Sequence, residues 1–271
     1  MWWMGLVACS ADLHLAAVEP VADDAVVAVF PPDGARRLSG VVPVRVVLGA
    51  EASGERPTVW ARGEGLACVV GVGGTWVDCG NVPGGDLTVR VRAGGTVVTA
   101  TGLADLPRED VAWDLLADAT VSLGGRAELP LDGHLVVVHE AGTLVGGPAR
   151  EGEGEGLEIM APGMTLVLPA TELGGAFHAA STATWLVLRV SDGAMPLLVL
   201  DVSLEIDADG AFVLEAALPA LSVLQLTEAT DAPFDAPLDL DRDGDGRGDA
   251  TSLRLEGVAA PVTLAGWSPK G

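Results

Sequence analysis

The residues best equipped for chemistry lie at 239–249, D-L-D-R-D-G-D-G-R-G-D, where five aspartates occupy eleven positions. Carboxylates this dense repel one another unless a cation sits among them, and an all-oxygen donor set suits a hard ion. Calcium takes roughly six to eight oxygens, and Asp at alternate positions followed by Gly lets successive side chains turn inward around one ion. Asp241, Asp243 and Asp245 fill the first, third and fifth places, and Gly246 permits the sharp turn. Arg247 can offer its carbonyl, and Asp249 takes the ninth place. The pattern predicts a calcium site that stiffens a loop, with no accompanying signature of a reaction.

The twelfth place, where an EF-hand carries a bidentate Glu, is Ser252, and no helical pattern follows. Leu253 and Leu255 alternate with Arg254 and Glu256, which is strand periodicity. The loop resembles the Asp-rich calcium loops of thrombospondin type 3 and related extracellular repeats, in a single copy of about a dozen residues. That resemblance implies a weak structural site of the extracellular kind.

Other chemistry is poorly supplied. The sequence has no G-x-S-x-G elbow, H-E-x-x-H pair, Walker loop or dinucleotide-binding glycine motif. His134 and His139 are five apart on an expected strand, which sends them to opposite faces, and they read as strand-end surface residues. Glu140 and Asp132 would form an acid–base group only with partners from other strands. Glu205, Asp207, Asp209 and Gly210 mimic half a calcium loop but read as a hairpin tip, and E-G-E-G-E-G at 151–156 reads as a surface loop. Trp60, Trp76, Trp113 and Trp185 belong to expected strands and cores, and Trp267 is expected at the surface.

The chain of 271 residues carries a net charge of −23, and its 49% hydrophobic content is ample for a packed core. Such a field repels nucleic acid and anionic lipid headgroups. Cys68 and Cys79 flank two β-rich segments around Gly73-Gly74, a hairpin signal that sets them opposite one another, so a disulfide and an oxidising compartment are expected. The third cysteine, Cys9, ends the run L-V-A-C, which resembles a bacterial lipobox. That resemblance implies lipidation of Cys9 after signal cleavage and attachment to the cell envelope, with the outer membrane as the expected location. The apolar segment ahead of it is short for a signal core, so the translation start is expected upstream.

Residues 1–9 thus read as a signal and 10–25 as a tether. From 26 to 107 seven short strands separated by Gly and Pro have the arithmetic of a β-sandwich. V-F-P-P-D-G-A at 29–35 and D-L-T-V-R-V-R-A-G at 86–94 resemble bacterial immunoglobulin-like domains. Residues 108–271 read as a larger antiparallel sandwich or flattened barrel, with strands expected at 134–140, 184–190, 196–206, 211–217, 221–227 and 251–256, among others, and a helical turn at 168–175. The expected class is all-β, with two antiparallel β-sandwich domains. The expected role is non-enzymatic, a surface scaffold or adhesion module contacting an envelope protein or a glycan. A calcium-dependent carbohydrate-binding module and a β-sandwich hydrolase are the alternatives.

Overall fold

The computed structural model describes residues 24–107, 111–125, 127–128, 133–153, 156–190, 193–230 and 237–265. Cys9, most of the tether, Asp132 and Trp267 lie outside them. The described residues form twenty strands. The first eight are β1 (Val26–Phe30), β2 (Val41–Leu48), β3 (Thr58–Ala61), β4 (Glu64–Leu66), β5 (Val69–Val70), β6 (Trp76–Pro83), β7 (Leu87–Ala93) and β8 (Thr96–Gly102). Then come β9 (Ala112–Asp114), β10 (Ala119–Leu123), β11 (Ala127–Glu128), β12 (His134–Glu140), β13 (Thr143–Glu151), β14 (Leu157–Ile159), β15 (Leu166–Leu173) and β16 (Ala176–Val190). The last are β17 (Gly193–Ile206), β18 (Ala211–Pro219), β19 (Ala250–Val258) and β20 (Ala260–Val262), with the helix Ala220–Thr230 between β18 and β19.

The first eight strands make two four-stranded antiparallel sheets, β1-β2-β6-β5 and β4-β3-β7-β8. Their sequences explain the arrangement. In β7, Leu87, Val89, Val91 and Ala93 are buried while Thr88, Arg90 and Arg92 are exposed, and Val42, Val44 and Val46 of β2 join the same core. The disulfide Cys68–Cys79 sits just before the β5–β6 ladder, in which Val69 opposes Asp78, as the hairpin reading expected.

The other twelve strands form one sheet in the order β11-β10-β19-β18-β17-β16-β15-β13-β12-β9-β20, with β14 beside β13. Only Ala259 separates β19 from β20, yet they stand third and last in that order, so the sheet curls round into a half-barrel that brings its ends together. Leu115, Leu135, Leu186, Val199, Leu204 and Leu253 fill one core inside it.

In the middle of this sheet both faces are buried, which accounts for the continuous apolar runs of β16 and β17. Leu186, Leu188, Leu197 and Val199 enter the half-barrel core, while Trp185, Val187, Leu198 and Leu200 pack with the two N-terminal sheets. At Asp201 the backbone turns to φ +49° and the β17–β18 register slips. Beyond the slip Val202, Leu204 and Ile206 are buried and Glu205 is exposed, so ordinary alternation resumes. Two expectations need correction. Residues 221–227 are helical, since Ala220, Val223 and Leu226 recur at helical spacing on a buried face and the Ser222 hydroxyl donates to the Leu198 carbonyl at 2.8 Å. Residues 168–173 are strand, and Gly174 and Gly175, both at positive φ, make the hairpin turn to β16.

The N-terminal sheets are seated on the large sheet by specific contacts. Trp185, fully buried, stacks edge-on against Phe30 and Trp76 with centroids 5.3 and 5.6 Å away, and its Nε1 donates to the Val29 carbonyl at 2.9 Å. Arg36 exchanges two backbone hydrogen bonds with Met164 and pairs with Glu140 at 2.6 Å. Trp185→Ala leaves a cavity between these layers and an unmet carbonyl. We expect it to lower the unfolding free energy by about 3–5 kcal/mol in urea titration, with N-terminal and C-terminal probes still losing structure together.

Candidate metal centre

The Asp-rich loop hangs from a closed base. Leu240 N–H donates to the Ala250 carbonyl at 3.0 Å, and the amides of Asp249 and Ala250 donate back to the Leu240 carbonyl. Outside this bridge Asp239 accepts from the Ser252 amide and hydroxyl at 2.8 and 2.7 Å, and the Thr251 hydroxyl donates to the Pro237 carbonyl. The loop exit meets the helix start through Ala220 N–H and the Asp249 carbonyl, 3.2 Å apart. Gly248 is required here, because a Cβ would lie 1.9 Å from the Leu238 carbonyl oxygen. Residues 241–248 are thereby confined to a short excursion with fixed ends.

Within the excursion the side chains turn inward by hydrogen bonding to the loop's own amides. Asp241 accepts from Gly244 N–H on Oδ1 and from Gly246 N–H on Oδ2, at 2.8 and 2.9 Å. Asp243 accepts from Asp245 N–H at 3.0 Å, and Asp245 from Arg247 N–H at 2.7 Å. Gly244 and Gly246 take the positive φ values, +78° and +88°, that this winding needs. As a result one carboxylate oxygen each from Asp241, Asp243 and Asp245 lies within 4.8 Å of the others, all on exposed residues. Three carboxylates with no nitrogen or sulfur among them make a donor set of the kind that hard, oxygen-seeking cations take.

Asp249 stands apart from that trio. Its Oδ1 accepts from Arg242 N–H at 3.2 Å, so the carboxylate closes the loop's neck. Burial pushes its pKa up, and nearby Asp243 adds to the rise, while the Arg242 amide and guanidinium oppose it. Arg242 reaches Asp201 with both Nε and Nη2 at 2.9 Å, which ties the loop to the irregular point of β17.

A groove of about 480 Å³ runs beside the loop, lined by Asp201, Glu215, Asp241, Arg242, Ser252 and Arg254 among others. Its lining mixes these groups with Ala216, Ala217, Leu240 and Leu253, and no tryptophan belongs to it. Trp185 is wholly buried, whereas Trp60, Trp76 and Trp113 are only partly so. At the tip after β17, Asp207 Oδ1 accepts from the Asp209 and Ala211 amides, which is a hairpin turn.

Sequence reasoning missed one polar centre. Asp114, 1% exposed, accepts from the amides of Leu116 and Leu135 at 3.0 and 3.2 Å and meets His134 Nδ1 at 2.6 Å. His134 was expected at the surface, but it pairs this carboxylate and ties β12 to β9. Their separation of twenty positions follows no local spacing rule, so only the strand pairing reveals the contact. His139 packs its ring against Phe177 with centroids 5.0 Å apart. No family model matches the chain, and the comparisons with curated proteins and with solved structures found no match.

The raised pKa of Asp249 carries a sign. A carboxyl whose folded pKa is raised favours folding when protonated and loses that contribution as pH rises through the folded value. Asp249→Asn keeps an oxygen for the Arg242 amide and removes the charge. In chelator at neutral pH we expect it to be as stable as the parent or more so, by less than about 1 kcal/mol. The difference should shrink as pH falls and Asp249 becomes neutral in the parent, as chemical denaturation across pH would record.

Proposed function

We propose that this chain is a non-enzymatic cell-envelope module, attached to a membrane through lipid on Cys9, whose 239–249 loop holds a structural calcium ion. The observation that carries the reading is the convergence of Asp241, Asp243 and Asp245 on one point from a loop whose ends are pinned. In this reading the eight N-terminal strands form an immunoglobulin-like sandwich, in keeping with the two antiparallel sheets that share a core. The half-barrel is the larger domain, which the ion stiffens at its junction with the helix. Asp241, Asp243 and Asp245 are the side-chain ligands, the Arg247 carbonyl and water complete the shell, and Asp249 acts from the neck. The ion supplies charge neutralisation and a cross-link, and the module presents its surface to an envelope protein or a glycan. The oxidised Cys68–Cys79 pair favours an exported location.

Thermal unfolding of the full chain with calcium and with excess chelator tests the ion. At free calcium a hundredfold above Kd the gain is about 2.7 kcal/mol, a rise in Tm of roughly 5–10 °C for a chain of this size. Asp243→Ala with Asp245→Ala should abolish that rise. Equal Tm in calcium and chelator for the parent would refute the metal reading. For the anchor, Cys9→Ala expressed in a bacterial host should move the protein from the membrane to the soluble fraction, as immunoblotting of fractions would show.

A further inference from the structure

On the outer face of the sheet β4-β3-β7-β8, two arginines form no ion pair among the described residues, in a chain whose net charge is −23. Cross-strand pairing sets Trp60, Arg90 and Thr99 in one row and Thr58, Arg92 and Val97 in the next. Val59, Leu87, Val89 and Val91, which alternate with them, fill the core, so both rows point outward. Thr58, Arg90, Arg92, Val97 and Thr99 are exposed, and Trp60 is half-buried.

Each guanidinium lies 5.9 Å from the centroid of the Trp60 ring, so a single ring attracts two cations that repel one another. By contrast Arg36, Arg150, Arg242 and Arg254 each pair with a carboxylate. The four strands contain one acid, Glu64, and it opposes the core residue Ala61, so its side chain leaves from the other side of the sheet. The face is therefore locally positive and bordered by hydroxyls.

Three properties of the face select its ligand. Paired guanidiniums, planar forks that match a carboxylate, call for an acid. The field of the whole chain opposes a dense polyanion. Charges within about 8 Å, the Debye length at physiological salt, dominate, so a ligand with sparse carboxylates places one on the arginines while few others meet the acidic surroundings. The hydroxyls of Thr58, Thr88 and Thr99 suit a polyhydroxyl chain. Val97, the one exposed aliphatic side chain of the two rows, falls short of the apolar centre that a protein partner would bury.

We propose that this face binds an acidic glycan whose uronate carboxylates are spaced by neutral sugars, Arg90 and Arg92 taking a carboxylate and Thr58, Thr88 and Thr99 the neighbouring sugar hydroxyls. The inference deepens the reading of the chain as an envelope module that contacts a glycan, and rests on it. It is independent of calcium and of Cys9, because no residue of the Asp loop belongs to the face.

The test titrates the full chain by calorimetry, in chelator at low ionic strength, with a hyaluronan decasaccharide, in which glucuronate alternates with a neutral sugar. Saturable binding is expected, about tenfold tighter than that of the methyl-esterified oligosaccharide and weaker as salt rises. Arg90→Gln with Arg92→Gln, at exposed positions that should keep the parent Tm, should weaken it about tenfold. Arg150→Gln, which changes an exposed arginine of another sheet, should leave it unchanged. Absence of saturable binding up to millimolar oligosaccharide, equal affinity for the ester, or unchanged binding by the arginine double variant would overturn the proposal. So would an equal loss from Arg150→Gln, which would reduce the effect to diffuse charge. Tighter binding of a capped glutamate peptide would also overturn it and assign the face to an acidic protein. Failure of calcium to raise Tm, or of Cys9→Ala to move the protein between fractions, would leave these outcomes unaffected, and failure here would leave those.

Discussion

The fold depends on water being excluded from both faces of β16 and β17 at once. A strand segment that is apolar on both sides is stable only when a layer covers each face. Residues 185–188 and 197–200 meet that requirement by having the curled sheet's own interior on one side and the N-terminal sheets on the other. Trp185 is the largest of the fully buried side chains at the second contact, and its one polar atom finds the Val29 carbonyl. The core of the N-terminal sheets therefore runs without interruption into the larger sheet. Tight seating follows from hydrophobic burial, while Arg36 with Glu140 and Met164 fixes orientation at the margin.

The Asp loop is built on a different principle. It buries little and is organised by local hydrogen bonds that aim negative charge at one place, at the cost of mutual repulsion among Asp241, Asp243 and Asp245. Asp249 is set back at the neck, partly desolvated and held by the Arg242 amide. The same eleven residues thus divide into a charged tip and a hydrogen-bonded hinge. Asp239, Leu240 and Asp249 in the hinge are the groups through which an event at the tip would reach β19 and the helix.

Local patterns were the legible part of this chain. The alternation in Leu87–Ala93, the hairpin geometry behind Cys68–Cys79 and the inward turn of Asp241, Asp243 and Asp245 all act over a few positions, and the structure keeps them. Residues 221–227 were misread because S-V-L-Q-L-T suits a short apolar strand as well as a helix, and the choice is made by packing of Val223 and Leu226 beneath β17 and β18. The apolar runs in β16 and β17 are explained by layers on both faces, and nothing local in those runs says which elements supply them. Contacts such as His134 with Asp114 and Trp185 with Val29 join residues distant in sequence, and no local spacing encodes them. Asp249 fits the ninth ligand place by spacing, yet its carboxylate lies with the neck, because burial and the Arg242 amide compete for it.

The place of β19 in the sheet has a consequence for biosynthesis. β10 is made early, but it pairs with β19, about 130 residues later in the chain, and β18 waits for the same strand on its free side. Until β19 emerges from the ribosome, two neighbouring strands show open edges at a moment when the rest of the sheet can already form. The strand that closes the gap comes directly after the Asp-rich segment, whose base is closed by the hydrogen bonds between Leu240 and Ala250. Closure of the sheet thus waits for its last large strand, so assembly is weighted towards the end of synthesis.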